Sequence, residues 1–328
     1  MLFTVQFVGW VFVCLIVWLF GWLITKHMSE IRRGRIYLVT THGIIGGGKS
    51  TFLDRLKIAF ESMGIGAVVA TEPVDEWVAL IDNQPGTSLL DEMYRAQARI
   101  RRKQAEAKAS PSPTSPAFAE SDEERSMSDS TQTLPATAVA NSNDDEDDEV
   151  FDGVCGAFQL NAFVSRTRRI VLARRKAKEL LRANPERDVL VIIERSIYDD
   201  KYIFKAMGVE DGYIDPFQSR VYDSVFEAWE DICQKFTADL AVYVDTSVDS
   251  AMARIAKRGR AAELGIPREY QQKLKDRHDK FLAAPHTHYV GAPIMRIDGE
   301  RPFHECHREI GAIAGEIVQH LGLVTAAK

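Results

Sequence analysis

The chain has 328 residues, 45% hydrophobic and 27% charged, with a formal net charge of −6. The acidity is concentrated at 120–124 and 144–149, so the mean charge identifies no partner, and no nucleic-acid partner is expected. The four cysteines, Cys14, Cys155, Cys233 and Cys306, are scattered, which excludes a disulfide framework or a Cys-x-x-Cys site and fits a reducing compartment.

Residues 1–25 carry no charged side chain and include Trp10, Trp18 and Trp22. A helix of about 20 apolar residues spans a bilayer, so this stretch is expected to be a transmembrane anchor. A cleaved signal peptide calls for a basic start, a shorter apolar core and a small-x-small cleavage site, none of which is evident. A mitochondrial presequence is Arg-rich and amphipathic, and this segment is neither. The basic linker 26–34, with Lys26, Arg32 and Arg33, follows directly, and the positive-inside rule then keeps the rest of the chain in the cytosol.

Residues 35–41 read as a β-strand. They lead into Gly43-Ile44-Ile45-Gly46-Gly47-Gly48-Lys49-Ser50-Thr51, and then into a helix to about Met63 with Phe52, Leu56 and Phe60 on one face. The spacing Gly43-x-x-x-x-Gly48-Lys49-Ser50 between a strand and a helix is the phosphate-binding loop pattern. Its glycines let backbone N–H groups turn toward phosphate oxygens, and the helix N-terminus adds its positive dipole end. Lys49 is expected to reach the β- and γ-phosphates of ATP, and Ser50 to hold Mg²⁺.

A second short strand at 67–71 ends at Glu72-Pro73-Val74. A carboxylate just past a strand end can accept a proton from a substrate hydroxyl. Helical segments continue to about Lys108. Residues 109–150 are rich in Ser-Pro pairs and acidic residues and almost without large apolar side chains, so they are expected to be a disordered insertion. Ser110, Ser112, Ser115 and Ser121 in it are candidate phosphorylation targets, and the alternative is an inert flexible insert.

Order is expected to resume at Phe158 with a long helix to about Ala183. Apolar strands follow at 188–193 and 239–244, and a last one at 293–298, as in a parallel sheet buried on both faces. Strands alternating with helices predict an α/β fold of the P-loop NTPase type, with about five parallel strands flanked by helices. After the third strand, Glu194 stands where the Mg²⁺-shell carboxylate is expected, and Arg195 where a cation can neutralise the transferring phosphoryl group. After the fourth, Arg254, Arg258 and Arg260 around Gly259 read as an Arg-rich helical lid that closes on the phosphates. The group His304-x-Cys306-His307 reads as the polar side of a late helix rather than a metal site.

The ordered segments together resemble the deoxynucleoside kinase family, in particular its deoxycytidine and deoxyguanosine kinase members. The segments are 43–51, Glu72-Pro73-Val74 with Trp77, Met93-Tyr94, Phe158-Gln159, Glu194-Arg195-Ser196 through Tyr202, and Arg254 through Pro267. The resemblance covers about 35–325 apart from the insertion. It implies that Glu72 is the general base for the nucleoside 5′-hydroxyl and that Arg195 binds the 5′-oxygen and phosphate. It further implies that Tyr94 and Glu263 hold the sugar 3′-hydroxyl, that Gln159 bonds the base edge, and that Trp77, Phe158 and Phe204 wall its pocket. Arg166 and Asp200 match an arginine–aspartate pair that favours deoxycytidine or purine deoxynucleosides over thymidine. A homodimer is implied as well. Two other functions are weighed beside this one. A nucleoside monophosphate kinase of the thymidylate type needs a basic clamp for the acceptor phosphate, where this chain has Glu72 and Tyr94. A membrane-tethered scaffold that binds nucleotide without turnover is opposed by the retained base, lid and Mg²⁺ residues.

Overall fold

A computed structural model describes residues 33–79, 88–109, 153–233, 237–283 and 292–323. The five strands are β1 (Ile36–His42), β2 (Gly66–Ala70), β3 (Val189–Glu194), β4 (Leu240–Asp245) and β5 (Ile294–Asp298). They form one sheet in the order β2-β3-β1-β4-β5, and every pairing is parallel. The central strands read as continuous apolar runs because helices cover both faces.

Alternation along each strand sorts the side chains into two layers. Tyr37, Val39, Leu190, Ile192, Val242 and Val244 join Phe52, Leu56 and Phe60 of α1 (Lys49–Ser62) in one core. The other face carries Leu38, Val191 and Ile193 against α4 (Val154–Ala183), with Phe226 of α6 (Pro216–Cys233) and Leu274 of α8 (Arg268–Ala283) in the same cluster. The remaining helices are α2 (Val74–Trp77), α3 (Leu89–Ala109), α7 (Val248–Arg258) and α9 (His307–Leu321). Between β3 and α6 lies α5, made of Ile197–Asp199, a π-helical stretch Asp200–Lys205 and Ala206–Glu210.

The strands expected from the sequence are present within one or two residues of their expected ends. The long helix expected from Phe158 begins four residues earlier, at Val154, because Cys155 is buried among Ala96, Tyr213 and Ile214 and extends the packed face. The helical segments expected after Glu72 are α2 and α3. The expected anchor, and the insertion from residue 110 onward, lie outside the described residues. Among the described residues no helix is long and apolar enough to cross a membrane.

The strand order reverses direction on either side of β1. In such sheets ligands bind outside the carboxyl ends of the strands at the reversal. Lys49, Glu72, Glu194 and Arg254 all lie on the segments that end or follow β1, β2, β3 and β4 at those ends.

Candidate functional site

The cleft at the carboxyl edge has a volume of about 1040 Å³. Its floor is the loop between β1 and α1. Gly43 has φ 142°, and a Cβ there would lie 2.7 Å from the Val244 carbonyl oxygen, so the loop runs against β4 closely enough to require glycine. A Cβ on Gly46 (φ 77°) would likewise lie 2.5 Å from the Ala251 carbonyl oxygen on α7. Gly48 caps α1 in the left-handed conformation, and the Gly47 carbonyl accepts from Thr246 Oγ1 at 3.0 Å. Thr51 lines the cleft beside Ser50.

Lys49 is buried, with Nζ donating to the Ile44 carbonyl at 2.9 Å and 3.9 Å from Glu194 Oε1. Burial, and then the Arg195 charge, lower its pKa to about 8. Ser50 Oγ donates to both Glu194 oxygens at 3.0 and 3.1 Å. One hydroxyl and one carboxylate facing each other suit Mg²⁺, which takes few protein ligands and completes its shell with water and phosphate oxygens. Among the described residues no cluster of three His, Cys, Asp or Glu side chains offers an alternative cage.

Glu72 follows β2 and its backbone N–H donates to Glu194 Oε2 at 3.3 Å. Its Oε1 lies 2.7 Å from Arg166 Nη2 and 2.9 Å from Arg195 Nε. Burial pushes this carboxyl up, but Arg195, Arg166 and Lys49 together outweigh it and hold it below the ordinary glutamate value. Glu72 is therefore ionised at neutral pH and able to accept a proton. Arg195 is the one described non-glycine residue with positive φ, 60°, and its N–H donates to the Thr41 carbonyl at 2.8 Å. That strained turn aims the guanidinium back over the sheet end, above the Phe204 ring at 4.7 Å.

On the far side of Glu72, Arg166 pairs with Asp200, both almost fully buried. Burial pushes Asp200 up to about 6 against the pull of Arg166. Gln159 Nε2 donates to the Asp200 carbonyl at 3.3 Å. Trp77 and Phe158 meet edge to face, 5.5 Å between ring centres. Tyr94 packs beside them. These aromatic, amide and charged groups line one apolar recess of the cleft, with planar faces to stack a ring and polar atoms to read its edge.

The arginines after β4 are engaged within the protein. Arg254 donates to the Gly47 carbonyl at 3.3 Å and the Glu300 carbonyl at 2.8 Å. Arg258 and Arg260 both pair with Glu263, the latter at 3.0 Å. Glu263, expected at a sugar hydroxyl, thus shares the cleft with Tyr94 while joined to both lid arginines. Gly43 and Gly47 are the two expected site residues that shape the loop from behind rather than line the cleft.

Sequence reasoning missed several groups. Tyr270 and Gln97 line the cleft, as does the 300–304 loop, where Phe303 meets Phe52 at 5.1 Å. It also missed His42, Asp199 and His278, all fully buried behind Arg195. Tyr270 stands three residues after Pro267, so helical spacing from that motif points to it. The two histidines lie in separate segments and carry no local signal.

A sequence profile of the family described as Deoxynucleoside kinase matches residues 152–321, just over half of the chain. The chain is 31% identical over 146 residues to a probable deoxycytidine kinase of fowlpox virus, covering 44% of this chain and 57% of that one. It is 26% identical over 131 residues to the deoxycytidine kinase of Mus musculus, covering 37% and 49%. It is 26% identical over 104 residues to a deoxyadenosine/deoxycytidine kinase of Bacillus subtilis, covering 32% and 46%. The chain spans about half the length of the curated relatives it matches. With that match on a parallel sheet whose strand ends bring a phosphate loop, Glu72 and the Glu194-Arg195 turn into one cleft, the chain belongs to the deoxynucleoside kinase family.

Proposed function

We propose that this protein transfers the γ-phosphoryl group of ATP to the 5′-hydroxyl of a deoxynucleoside, with deoxycytidine or a purine deoxynucleoside favoured over thymidine. The reading rests on Glu72, an ionised carboxylate between the phosphate loop and the aromatic recess, touched by Arg195 and Arg166. Both arginine contacts fall on Oε1, which leaves Oε2 to take a proton.

The bond from the 5′-oxygen to the γ-phosphorus forms as the bond from that phosphorus to the β,γ-bridging oxygen breaks. The hydroxyl proton passes to Glu72, and ADP leaves. Lys49 and Arg195 stabilise the negative charge spread over the phosphoryl oxygens. Arg254, Arg258 and Arg260 supply further cations when the lid residues exchange carbonyl and Glu263 contacts for phosphate. Ser50 and Glu194 would hold Mg²⁺, which would supply positive charge against the phosphates. Tyr94 and Glu263 take the sugar, and Gln159 reads the base between Trp77, Phe158 and Phe204. The Arg166–Asp200 pair presents polar atoms that a thymine methyl group leaves unsatisfied.

Residues 35–325 form the kinase domain in this reading, interrupted by the 109–150 insertion and tethered through residues 1–25 to a membrane, with the domain on the cytosolic side. A homodimer is supported by an apolar stripe at helical spacing on α6, Phe217, Val221 and Val225, exposed by 78%, 40% and 37%. Val164 and Leu172 of α4 are also half exposed.

The test is ATP-dependent phosphorylation of the four natural deoxynucleosides by the purified chain, with Glu72→Gln alongside. Turnover on deoxycytidine or purines that falls by about 10²–10⁴-fold in the variant supports the reading. Nucleotide binding without turnover on any of the four refutes it and favours a monophosphate acceptor or a scaffold.

A further inference from the structure

Behind Arg195 lies a fully buried set of titratable groups that the transfer itself does not use. His278 of α8 has Nδ1 2.7 Å from the Leu274 carbonyl oxygen and Nε2 3.1 Å from Arg195 Nη1. A carbonyl oxygen can only accept, so Nδ1 carries the ring proton and Nε2 presents its lone pair to the guanidinium. Burial, and then the Arg195 charge, push His278 down to about 3, which keeps the ring neutral. Tyr243 stacks on the ring at 6.3 Å and fixes its plane.

Asp199 stands on the other side of this contact. Its Oδ1 lies 2.9 Å from His42 Nδ1 and 3.7 Å from His278 Nε2, while Oδ2 accepts from Ser196 N–H and Oγ at 2.8 and 2.7 Å. His42 is the residue before Gly43, and its Nε2 lies 2.9 Å from Thr40 Oγ1. The carboxylate therefore ties the entrance of the phosphate loop to the turn that carries Arg195. Burial opposes ionisation of Asp199, but His42 above all, with Arg195, holds it below the usual carboxylate range.

We propose that His278, with the Asp199–His42 pair behind it, is a positioning residue that holds the Arg195 guanidinium toward Glu72 and the transferring phosphoryl group. The inference rests on the kinase reading above. A neutral imidazole suits the task better than a carboxylate. It fixes one N–H of a long, otherwise rotatable side chain but leaves its full positive charge for the phosphoryl oxygens. With Nη1 on His278 and Nε beside Glu72 Oε1, the plane of the guanidinium is set from two sides.

Two near-isosteres separate positioning from packing. His278→Gln puts an acceptor near the place of Nε2, whereas His278→Asn keeps a donor for the Leu274 carbonyl and reaches no farther. Measured as kcat and KM on the preferred deoxynucleoside, with Tm alongside, the Gln variant is expected to stay within about threefold of the unvaried protein in kcat. The Asn variant is expected to lose about 30- to 100-fold in kcat, with KM within about threefold, the scale of loss for a displaced catalytic group. Equal kcat in both variants, or the Asn variant outperforming Gln, overturns the proposal. Should either variant fail to fold, ¹⁵N NMR of the unvaried protein decides. The Nδ1–H tautomer supports the assignment, and an Nε2–H tautomer overturns it. Absence of turnover by the unvaried protein strikes at the kinase reading itself. Normal turnover with an indifferent Asn variant strikes only at His278.

Discussion

Arg166 Nη2 lies 2.7 Å from Glu72 Oε1, so the cation of the aromatic recess also touches the carboxylate that follows β2. The same guanidinium pairs with Asp200, and its own pKa is raised, since Asp200 and Glu72 outweigh the effect of burial. Two carboxylates thus share one guanidinium, Asp200 in the aromatic recess and Glu72 after β2. The aromatic recess and the geometry of the Glu72 carboxylate are physically connected through a single side chain.

Replacing Arg166 is therefore expected to affect rate as well as selectivity. Arg166→Leu leaves Asp200 buried without its partner, which costs about 3–5 kcal/mol when a buried pair is broken one-sidedly, so the informative protein is Arg166→Leu with Asp200→Ala. That double variant is expected to shift the thymidine to deoxycytidine ratio of kcat/KM by about tenfold or more toward thymidine. It should also lower kcat on every substrate, because Glu72 then loses one of its two arginine contacts. Steady-state kinetics on all four deoxynucleosides read both effects. An unchanged ratio removes the pair from base selection.

The fold was legible because its signals are local. The phosphate loop, the apolar runs of the strands and the face of Phe52, Leu56 and Phe60 each depend on neighbouring residues. What the sequence withheld depends on residues far apart. Glu72 and Arg166 are 94 positions apart, and Arg195 and His278 are 83 apart. Ile44 shows the same limit. Its side chain is buried in the sheet core while its carbonyl accepts from Lys49, two roles that its place in a glycine-rich loop does not announce. The pairing of Arg258 and Arg260 with Glu263 likewise needed the turn after Gly259 to be built, because the helix alone points to a solvated basic face.

The contact of Ser50 Oγ with both Glu194 oxygens predicts a graded metal dependence. Ser50→Ala removes the hydroxyl while leaving the loop backbone unchanged. It is expected to raise the Mg²⁺ concentration for half-maximal rate by about 10- to 100-fold, the usual penalty for losing one partner at a metal site. Glu194→Gln keeps the shape but removes the charge and should act in the same direction. A Mg²⁺ titration at fixed ATP measures the shift. Identical curves for both variants and the unvaried protein would falsify the assignment of these residues to the metal.

The close approach of Gly43 to β4 predicts a loss of stability separable from chemistry. A methyl group there meets the Val244 carbonyl at 2.7 Å and must adopt φ 142°. Gly43→Ala is expected to lower unfolding free energy by about 1–3 kcal/mol, the cost of a strained backbone position. Urea denaturation, compared with Gly259→Ala, isolates the contact. Gly259 also has positive φ, 69°, but no atom lies within 4 Å of its Cβ position. A smaller effect at Gly43 than at Gly259 would show that backbone conformation, rather than contact with β4, limits the loop.

Lys49 provides a pH dependence with a definite sign. In the nucleotide-free protein, burial first and Arg195 second bring its pKa to about 8 from the ordinary 10.5. Nucleotide phosphates favour the charged form, so the bound complex titrates higher. Below pH 8 the lysine is already protonated and ATP binds without proton uptake. Above pH 8 binding must draw a proton from solvent, and affinity falls as pH rises. The Kd for ATP is therefore expected to be nearly flat from about pH 6.5 to 7.5 and about tenfold weaker at pH 9, the step given by one linked proton. Calorimetry in buffers of different ionisation enthalpy should register uptake of up to one proton in that range. Stability of the free protein moves the opposite way. Between about pH 8 and 10.5 the unfolded chain holds a proton that the folded chain has lost, so the contribution of Lys49 grows with pH. An ATP affinity that stays flat through pH 9, with no proton uptake, means that Lys49 remains charged in the free cleft and that its contacts with the Ile44 carbonyl and Glu194 outweigh its burial.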